Sequence, residues 1–262
     1  MTYVTASFSG GKDSTAMVLH MLDLGEQLDE VIYCDTTVDF PMMADHIAKV
    51  RAVVEAHGVK FTILRSKKTF EDMLYRIPVN SPKFGKMNGY GWPNMAQRWC
   101  TVFLKTRIMD NYKKKMAKES GDDIITCVGL AADEVKRTKR EHNQGQRWPL
   151  IEWGWTEADA LRYCRDLGYD WSGLYDHYDR VSCWCCPLQP INELRTLWKY
   201  YPELWQTLLE WQHEIDKNPK AGRARFFKDG RTIDDFGRQF MAEAKHSKAQ
   251  KSLDYFGEEA DE

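Results

Sequence analysis

Short runs of apolar and β-branched residues alternate with helical patterns through the first half of the 262-residue chain. The runs predict strands over residues 2–8, 30–34, 59–64 and 123–130. Between and after them, apolar positions recur at helical spacing and predict helices over residues 13–24, 41–57, 69–76 and 101–119. Strands and helices that alternate in this way are typical of a doubly wound α/β fold, a parallel sheet with helices on both faces.

After Pro149 only helical patterns continue. They predict helices over residues 156–167, 190–200, 202–216 and 232–246. The sequence therefore predicts an α/β domain over residues 1–150 and a mostly helical C-terminal region over residues 151–262. Residues 78–97 form a long loop rich in Pro, Gly and Asn, which we interpret as a lid over a substrate or as a packed surface excursion.

The first predicted strand leads directly into a glycine-rich turn, Ser9-Gly10-Gly11-Lys12-Asp13-Ser14, after which a helical pattern begins. Two glycines allow backbone N–H groups to converge on an anion, and serine hydroxyls and a lysine ammonium add further donors. The partial positive charge at a helix N-terminus favours a phosphate group at the same point. The turn is therefore predicted to bind phosphate, with an ordinary connection between strand and helix as the alternative.

This turn does not follow the commoner phosphate-loop pattern. That pattern needs a Gly at the position of Ala6 and a Ser or Thr at the position of Asp13. Ser-Gly-Gly-Lys-Asp-Ser instead resembles the pyrophosphate loop of the adenine-nucleotide α-hydrolase superfamily, the PP-loop ATP pyrophosphatases. The resemblance implies a Rossmann-like fold in which the loop holds the β- and γ-phosphates of ATP while the bond at the α-phosphorus is broken.

The seven cysteines include a close group, Cys183, Cys185 and Cys186, and a distant Cys100. A Cys-x-x-Cys pair places two thiolates on one small turn, which suits a tetrahedral metal or an iron–sulfur cluster. Cys100 would add a third ligand, and Cys185 would be either the fourth ligand or a free thiol. A structural zinc site and buried free thiols remain as alternatives.

Further segments are similar to the phosphoadenosine phosphosulfate reductase-like branch of the superfamily. Residues 34–41 resemble its Asp-Thr-x-x-x-Phe-Pro element, residues 129–137 its Gly-Ile-Arg-x-x-Glu-Ser-x-Arg element, and residues 148–153 its Pro-Leu-x-x-Trp element. In cluster-bearing members, a Cys-Cys pair joins a later Cys-x-x-Cys to hold a [4Fe-4S] cluster. Here Trp99 replaces the first Cys of that pair, which leaves three matched thiolates and implies one open iron.

The resemblance also implies the binding and catalytic residues. Asp35 would face the adenosine, and Asp13 would hold Mg²⁺ or cap the helix. Ala131 stands where the family has Arg, so charge for the substrate is expected from Arg137 or Arg140. The nucleotide-binding residues are predicted to be Ser7, Ser9, Gly10, Gly11, Lys12, Asp13, Ser14, Asp35, Gly129 and Arg137, and the catalytic residues Lys12, Asp13 and Cys185.

The departures from the family pattern favour cleavage of ATP. Phosphoadenosine phosphosulfate reductases use a thiol in a Glu-Cys-Gly-x-His tail and tend to lack the Lys-Asp pair of the loop. This sequence has no Cys after Cys186, and Lys12 and Asp13 are present. We therefore expect ATP to yield AMP, pyrophosphate and an adenylated acceptor. Sulfur carried on the cluster, or as a persulfide on Cys185, would then displace AMP. The alternatives are a sulfonucleotide reductase that uses an external thiol and a nucleotide- or redox-sensing module without turnover.

Composition limits the partners. A formal charge of −2 argues against a uniformly basic nucleic-acid-binding protein, although basic segments at residues 65–68, 113–115 and 223–228 could receive a polyanionic acceptor. No apolar run of ~18 residues predicts a membrane span, and no secretory signal is visible, so we expect a cytoplasmic protein. The expected partners are a nucleotide, a nucleic-acid or small-metabolite acceptor and a sulfur donor protein. A homodimer is compatible with the sequence.

Overall fold

A computed structural model of the protein describes residues 2–81, 85–139, 145–181, 183–218 and 222–258. By packing, the chain forms two compact units. The first comprises Met1–Phe70 and Trp99–Trp184, and the second comprises Glu71–Arg98 and Cys185–Glu262. This division differs from the boundary predicted at residue 150. The predicted boundary concerns regions that fold separately, and it stays a prediction.

The regular elements follow one another closely along the chain. The strands are β1 (Thr2–Phe8), β2 (Glu30–Asp35), β3 (Lys60–Arg65), β4 (Pro78–Ser81), β5 (Gly85–Asn88), β6 (Asp123–Val128) and β7 (Gln146–Arg147). The α-helices are α1 (Lys12–Asp23), α2 (Met43–Ala56), α3 (Trp99–Thr101), α4 (Arg107–Ser120), α5 (Pro149–Glu152), α6 (Glu157–Asp166), α7 (Ile191–Tyr200), α8 (Pro202–Asp216) and α9 (Ile233–Glu258). Asp72–Arg76 and Val102–Thr106 form π-helical turns, and Ala132–Lys139, Trp171–Asp176 and Gly222–Arg225 form 3₁₀ turns.

The first unit is built on a parallel sheet, and within the described residues its strand order is β3-β2-β1-β6-β7. The strands and flanking helices confirm the predicted doubly wound α/β fold. The order of strands changes direction next to β1, because the chain goes from β1 to β2 on one side and returns to β6 on the other. Ligands of such sheets bind at this point, beyond the carboxyl ends of the strands.

Burial explains why these segments form the centre of the first unit. Val31 and Ile32 of β2 have no exposed surface, as expected for a strand that is covered on both faces. In α1, Ala16, Met17 and Val18 are equally buried, so this helix lies deep in the unit and its start has little freedom to move.

The predicted loop over residues 78–97 contains structure that the sequence pattern did not reveal. Strands β4 and β5 form an antiparallel hairpin. Beyond it, Trp92 is 1% exposed and its Nε1 donates to Oε1 of Gln212 in α8, 3.0 Å away. The end of the segment is therefore part of the core of the second unit, in agreement with the packed alternative.

The C-terminal helices complete the second unit. Trp205 and Trp211 of α8 are buried and serve in helix packing. Trp205 contacts the ring of Phe240 in α9, with 5.9 Å between the ring centroids. Among the residues described, no helix is long and apolar enough to cross a lipid bilayer.

Candidate functional site

The glycine-rich turn lies between the end of β1 and the start of α1, as predicted. Gly10 has a left-handed φ of +78°, and a Cβ atom on it would lie 2.6 Å from Cε of Met43. Gly11 is the N-cap of α1 and offers no side-chain cap, so the first helical N–H groups point away from the helix without a partner from their own turn. This is the backbone arrangement that anion sites at helix N-termini use.

Two serine hydroxyls set the shape of the turn from inside. The backbone N–H of Ser9 donates to Oγ of Ser14 across 3.1 Å, and the two hydroxyl oxygens are also 3.1 Å apart. The hydroxyl of Ser14 in turn donates to the carbonyl of Gly11 at 3.1 Å. Because these bonds close the turn on itself, its N–H groups are oriented before any ligand arrives.

Lys12 and Asp13 bring opposite charges to the start of α1. Nζ of Lys12 lies 2.5 Å from Oε2 of Glu157 and 3.6 Å from Oδ2 of Asp13. Burial raises the pKa of Asp13 to about 6, which the charge of Lys12 opposes and the charge of Glu157 supports. Oδ1 of Asp13 is buried and has no hydrogen-bond partner within the described structure. An oxygen in that state fits a metal ligand.

Two aromatic residues hold the turn from outside. The hydroxyl of Tyr175 accepts the backbone N–H of Lys12 at 2.8 Å, and Nε1 of Trp171 donates to the carbonyl of Gly10 at 2.7 Å. Trp171 and Ser172 have left-handed φ values of 51° and 53°. Backbone strain of this kind persists only where the surroundings enforce it, and it concentrates at functional sites.

Gly129 follows β6 and packs against the start of α1. A Cβ atom on Gly129 would lie 2.8 Å from the backbone N of Ser14, so only glycine allows this approach. Ser7 lies on β1, in register with Val128 of β6. The direct contact of Ser7 and Gly129 with a nucleotide stays a prediction.

Arg137 lies in the 3₁₀ turn Ala132–Lys139, and its Nη1 donates to Oε1 of Glu134 at 2.7 Å. Its contact with a nucleotide also stays a prediction. Arg140, the other candidate for substrate charge, lies outside the described residues.

Asp35 ends β2 beside a cavity of about 370 Å³ in the first unit. Its carboxylate accepts the N–H of Thr37 at 2.8 Å and Nε of Arg65 at 2.9 Å. Ile47 and Ile63 give the cavity apolar walls. A mostly apolar cavity with a few fixed polar groups is typical of a site for a small molecule of nucleoside size.

Cys100 and Cys183 both belong to the first unit. The backbone of Cys183 forms an isolated antiparallel β-bridge with Asp39, in the segment after β2. Sγ of Cys183 lies 3.8 Å from Oγ1 of Thr36. Burial raises the pKa of the Cys100 thiol, and the charge of Cys183 raises this pKa further. The charge of one thiol from the Cys-x-x-Cys motif thus acts on the distant Cys100.

The second segment of the second unit begins at Cys185, which has no exposed surface. The carbonyl of Cys186 accepts the N–H of Gln189 at 3.2 Å. Nζ of Lys228 donates to the carbonyls of Pro187 and Gln189 at 3.2 and 3.1 Å. The turn after Cys186 is therefore held by a lysine, and the catalytic role of Cys185 stays a prediction.

The metal predictions were tested against the positions of the donors. Within the described part of the chain, no group of three or more His, Cys, Asp or Glu side chains is arranged so that it could hold a metal ion. The positions of the thiols in this part of the chain therefore do not by themselves support a [4Fe-4S] cluster or a zinc ion. Both centres stay predictions, and no reaction step is assigned to them.

Sequence reasoning missed several residues of the site. Glu157, Tyr175 and Trp171 lie far from the turn in sequence and carry no local signal for their contacts with it. Lys105 was missed as well. The charge of Cys183 raises its pKa, against the effect of burial, and Asp39 adds to the increase.

Some residues of the basic segments are engaged within the protein. Arg65 pairs with Asp35. In the last segment, Phe227 is buried against Trp92, with 4.9 Å between the ring centroids, and Nε of Arg225 lies 3.2 Å from Oδ1 of Asp216. A nucleic-acid acceptor therefore stays a prediction that these segments support only weakly.

Comparison with known proteins places the chain in a family. Residues 3–189 match the phosphoadenosine phosphosulfate reductase domain, which covers more than two thirds of the chain. The chain belongs to this family, a branch of the PP-loop superfamily.

Two individual proteins are also similar to the chain. The chain is 26% identical over 223 residues to the uncharacterized protein MJ0066 of Methanocaldococcus jannaschii, a match that covers 81% of this chain and 41% of that protein. It is 26% identical over 207 residues to MJ0973 of the same organism, covering 77% and 46%. The chain therefore spans less than half the length of these two relatives.

Among solved structures, the phosphoadenylyl-sulfate reductase of Candida auris in complex with phosphate is similar, with 17% identity and a TM-score of 0.44 over 70% of this chain and 81% of that one.

Proposed function

We propose that the protein binds ATP at the turn Ser9–Ser14 and cleaves it at the α-phosphate, so that AMP passes to an acceptor and pyrophosphate is released. The observation that carries the proposal is the pre-shaped turn. It combines a left-handed Gly10, an N-cap without a side chain and a lysine ammonium at the start of α1. Membership of a family that acts on adenine nucleotides supports the same class of ligand.

The β- and γ-phosphates would lie at the start of α1. The partial positive charge of the helix, the ammonium of Lys12 and those N–H groups of the turn that Ser14 and Tyr175 do not occupy favour anions there. Mg²⁺ shields phosphate charge when it is bound, and Oδ1 of Asp13 fits it because this buried oxygen has no hydrogen-bond partner in the described structure. One carboxylate with several phosphate oxygens is a common way for proteins to hold Mg²⁺.

The adenosine would occupy the cavity beside Asp35. This cavity lies at the carboxyl end of β2, and Met43 belongs to its wall while also meeting Gly10 of the turn. One nucleotide could therefore reach from the cavity to the turn. The apolar side chains would cover the base, and the carboxylate of Asp35, held by Arg65, would accept hydrogen bonds from it or from the ribose.

The chemistry needs a nucleophile on the acceptor. An acceptor oxygen would form a bond to the α-phosphorus, while the bond from this phosphorus to the bridging oxygen breaks and its electron pair leaves with pyrophosphate. Charge that grows on the leaving group would be stabilised by Lys12 and the N–H groups of the turn. The crowded cysteines support sulfur as the group that then replaces AMP on the acceptor.

The test is a product assay. Protein is incubated with magnesium and ATP labelled at the α-phosphate, together with transfer RNA or a pool of small metabolites as acceptors. We expect AMP and pyrophosphate in equal amounts, with AMP first bound to the acceptor. Absence of both products with every acceptor, although ATP is bound tightly, would contradict the proposal and favour a sensing module.

A second candidate is favoured by the family match over residues 3–189. A sulfonucleotide reductase with an external thiol would consume adenylyl sulfate or phosphoadenylyl sulfate and release sulfite, while two thiols are oxidised to a disulfide. Sulfite formed in the presence of reduced thioredoxin or glutathione would establish this reaction. ATP would remain intact in the same assay.

A further inference from the structure

A carboxylate that the sequence analysis did not place in the site holds the lysine of the turn. Nζ of Lys12 lies 2.5 Å from Oε2 of Glu157, and the lysine side chain is only 6% exposed. The ammonium is therefore held at one position rather than moving freely in water. An ammonium group has three N–H donors. Glu157 takes one of them and leaves the others for further oxygens.

Glu157 is itself fixed by local structure. It is the first residue of α6, and a capping box formed by Thr156 and Asp159 sets the start of this helix. The N–H of Thr156 donates to Oδ2 of Asp159 at 3.0 Å, and the N–H of Asp159 donates back to Oγ1 of Thr156 at 3.2 Å. The carboxylate of Glu157 therefore stands on a rigid support.

The same helix also contacts the backbone of the lysine. Sγ of Cys164, buried in α6, donates to the carbonyl of Lys12 at 3.6 Å. Tyr175 accepts its N–H at 2.8 Å. The backbone and the ammonium of Lys12 are thus both held by the segment that follows residue 156, so the contact with Glu157 is part of a built arrangement.

The charges around the turn make this contact consequential. Asp13 and Glu157 both lie near the single ammonium of Lys12, so carboxylates outnumber ammonium groups there. The terminal phosphates of a nucleotide would add more negative charge at the same place. The phosphates can bind the ammonium only if they share it with the Glu157 carboxylate or displace that carboxylate from it.

We propose that Glu157 is a positioning residue of the phosphate site: its carboxylate holds the Lys12 ammonium at the turn and competes for it with the terminal phosphates of the nucleotide. This inference rests on the proposed function, because it takes the phosphates from there. The competition would weaken the binding of pyrophosphate once it has formed and so help it to leave.

The test compares Glu157→Gln with the unchanged protein. Glutamine keeps the size and an acceptor oxygen but removes the negative charge. In calorimetric titrations with magnesium pyrophosphate, we expect about fivefold tighter binding, the size of effect typical of one ion pair. In the product assay, KM for ATP should fall while kcat also falls, because pyrophosphate leaves more slowly. If Glu157 served only the stability of the fold, Glu157→Gln would change the melting temperature, and KM and kcat would not fall together.

Glu134→Gln is the matched control. The charge of Glu134 also raises the pKa of Asp13, but the Glu134 carboxylate pairs with Arg137 and Arg180 rather than with Lys12. Removing its charge should alter pyrophosphate binding less than about twofold. Equal effects of the two substitutions, or weaker binding by Glu157→Gln, would overturn the inference. If Glu157→Gln does not fold, Glu157→Asp keeps the charge with a shorter reach and is expected to shift binding in the same direction.

A second measurement separates this inference from the proposed function. Lys12 is labelled with acetic anhydride in the absence of nucleotide, and its labelling is measured by mass spectrometry. Release from Glu157 should make labelling several-fold faster in Glu157→Gln than in the unchanged protein. If the unchanged protein binds no pyrophosphate but labelling accelerates, the phosphate site fails while the hold on Lys12 stands. Equal labelling rates would refute the hold itself.

Discussion

The turn Ser9–Ser14 and the cysteine motif Cys183–Pro187 are both short, dense groups of reactive residues, but they are built differently. The turn closes on itself through the bonds of Ser9 and Ser14 and is tied to a buried helix. The cysteine motif is divided between the two units, with Cys183 in the first and Cys185 in the second. A local motif can be complete from its own residues, whereas a divided motif depends on distant parts of the chain.

This difference shows which chemistry the structure supports. The turn has its lysine and a buried carboxylate oxygen already in place, and the proposed phosphate site rests on them. The thiols in the described residues do not form a metal-binding group. The contiguous turn therefore supports a functional proposal more directly than the cysteines, which are more numerous but lie far apart along the chain.

The largest expected effect would break the turn. Lys12→Ala removes the ammonium that stabilises the leaving pyrophosphate, and we expect kcat to fall by about 100- to 1000-fold, the usual cost of one such donor. The product assay measures this loss. Lys118→Ala on the exposed face of α4 is the control and should keep full activity. Normal turnover by Lys12→Ala would show that the turn is not the phosphate site.

The next experiment tests the cysteine side of the comparison. Protein purified without oxygen should absorb near ~400 nm if a cluster is present. Cys183→Ser and Cys186→Ser are expected to lose all bound iron and sulfide, because each removes one predicted ligand. Cys127→Ser should retain them, because Cys127 is buried in β6 and is not among the predicted ligands. Metal loss only in Cys127→Ser would show that other thiols form the centre.

A smaller effect is expected from crowding the turn. Gly129→Ala would place a methyl group 2.8 Å from the backbone N of Ser14. Because backbone must move to relieve this clash, we expect KM for ATP to rise by about tenfold and the protein to lose about 1–3 kcal/mol of stability. Gly237→Ala is the control, since its Cβ would meet only the ring of Trp205 at an ordinary 3.5 Å. Kinetics and urea unfolding measure both variants.

The smallest effect concerns pH. Because burial raises the pKa of Asp13 to about 6, this carboxyl should be ionised above pH 6 and protonated below it. Ionised Asp13 is the form that holds Mg²⁺, so kcat/KM should fall by about tenfold per pH unit below that point. Asp13→Asn should have low activity and no such acidic limb. A limb that persists in Asp13→Asn would assign the titration to another group.

Local patterns predicted the fold well. Strands β1, β2 and β3 and helices α1 and α2 begin and end within two residues of their predicted bounds, because each has its own apolar pattern. The hairpin β4–β5 was not predicted, since its Pro, Gly and Asn residues are typical of loops.

The candidate site was predicted only where its residues are contiguous. Ser9–Ser14 stands out in the sequence because strand, turn and helix follow one another there. Glu157, by contrast, meets Lys12 only because α6 packs on α1, and such a contact leaves no trace in either segment. The charges of Cys183 and Asp39 raise the pKa of Lys105, and both residues are likewise distant from it in sequence.

The path of the chain between the two units determines how a break in the gene would divide them. It passes from one unit to the other after Phe70, after Arg98 and after Trp184. A gene cut at codon 150 would therefore encode two polypeptides, neither of which holds all the segments of either unit. Recombination at that point would therefore divide both units at once.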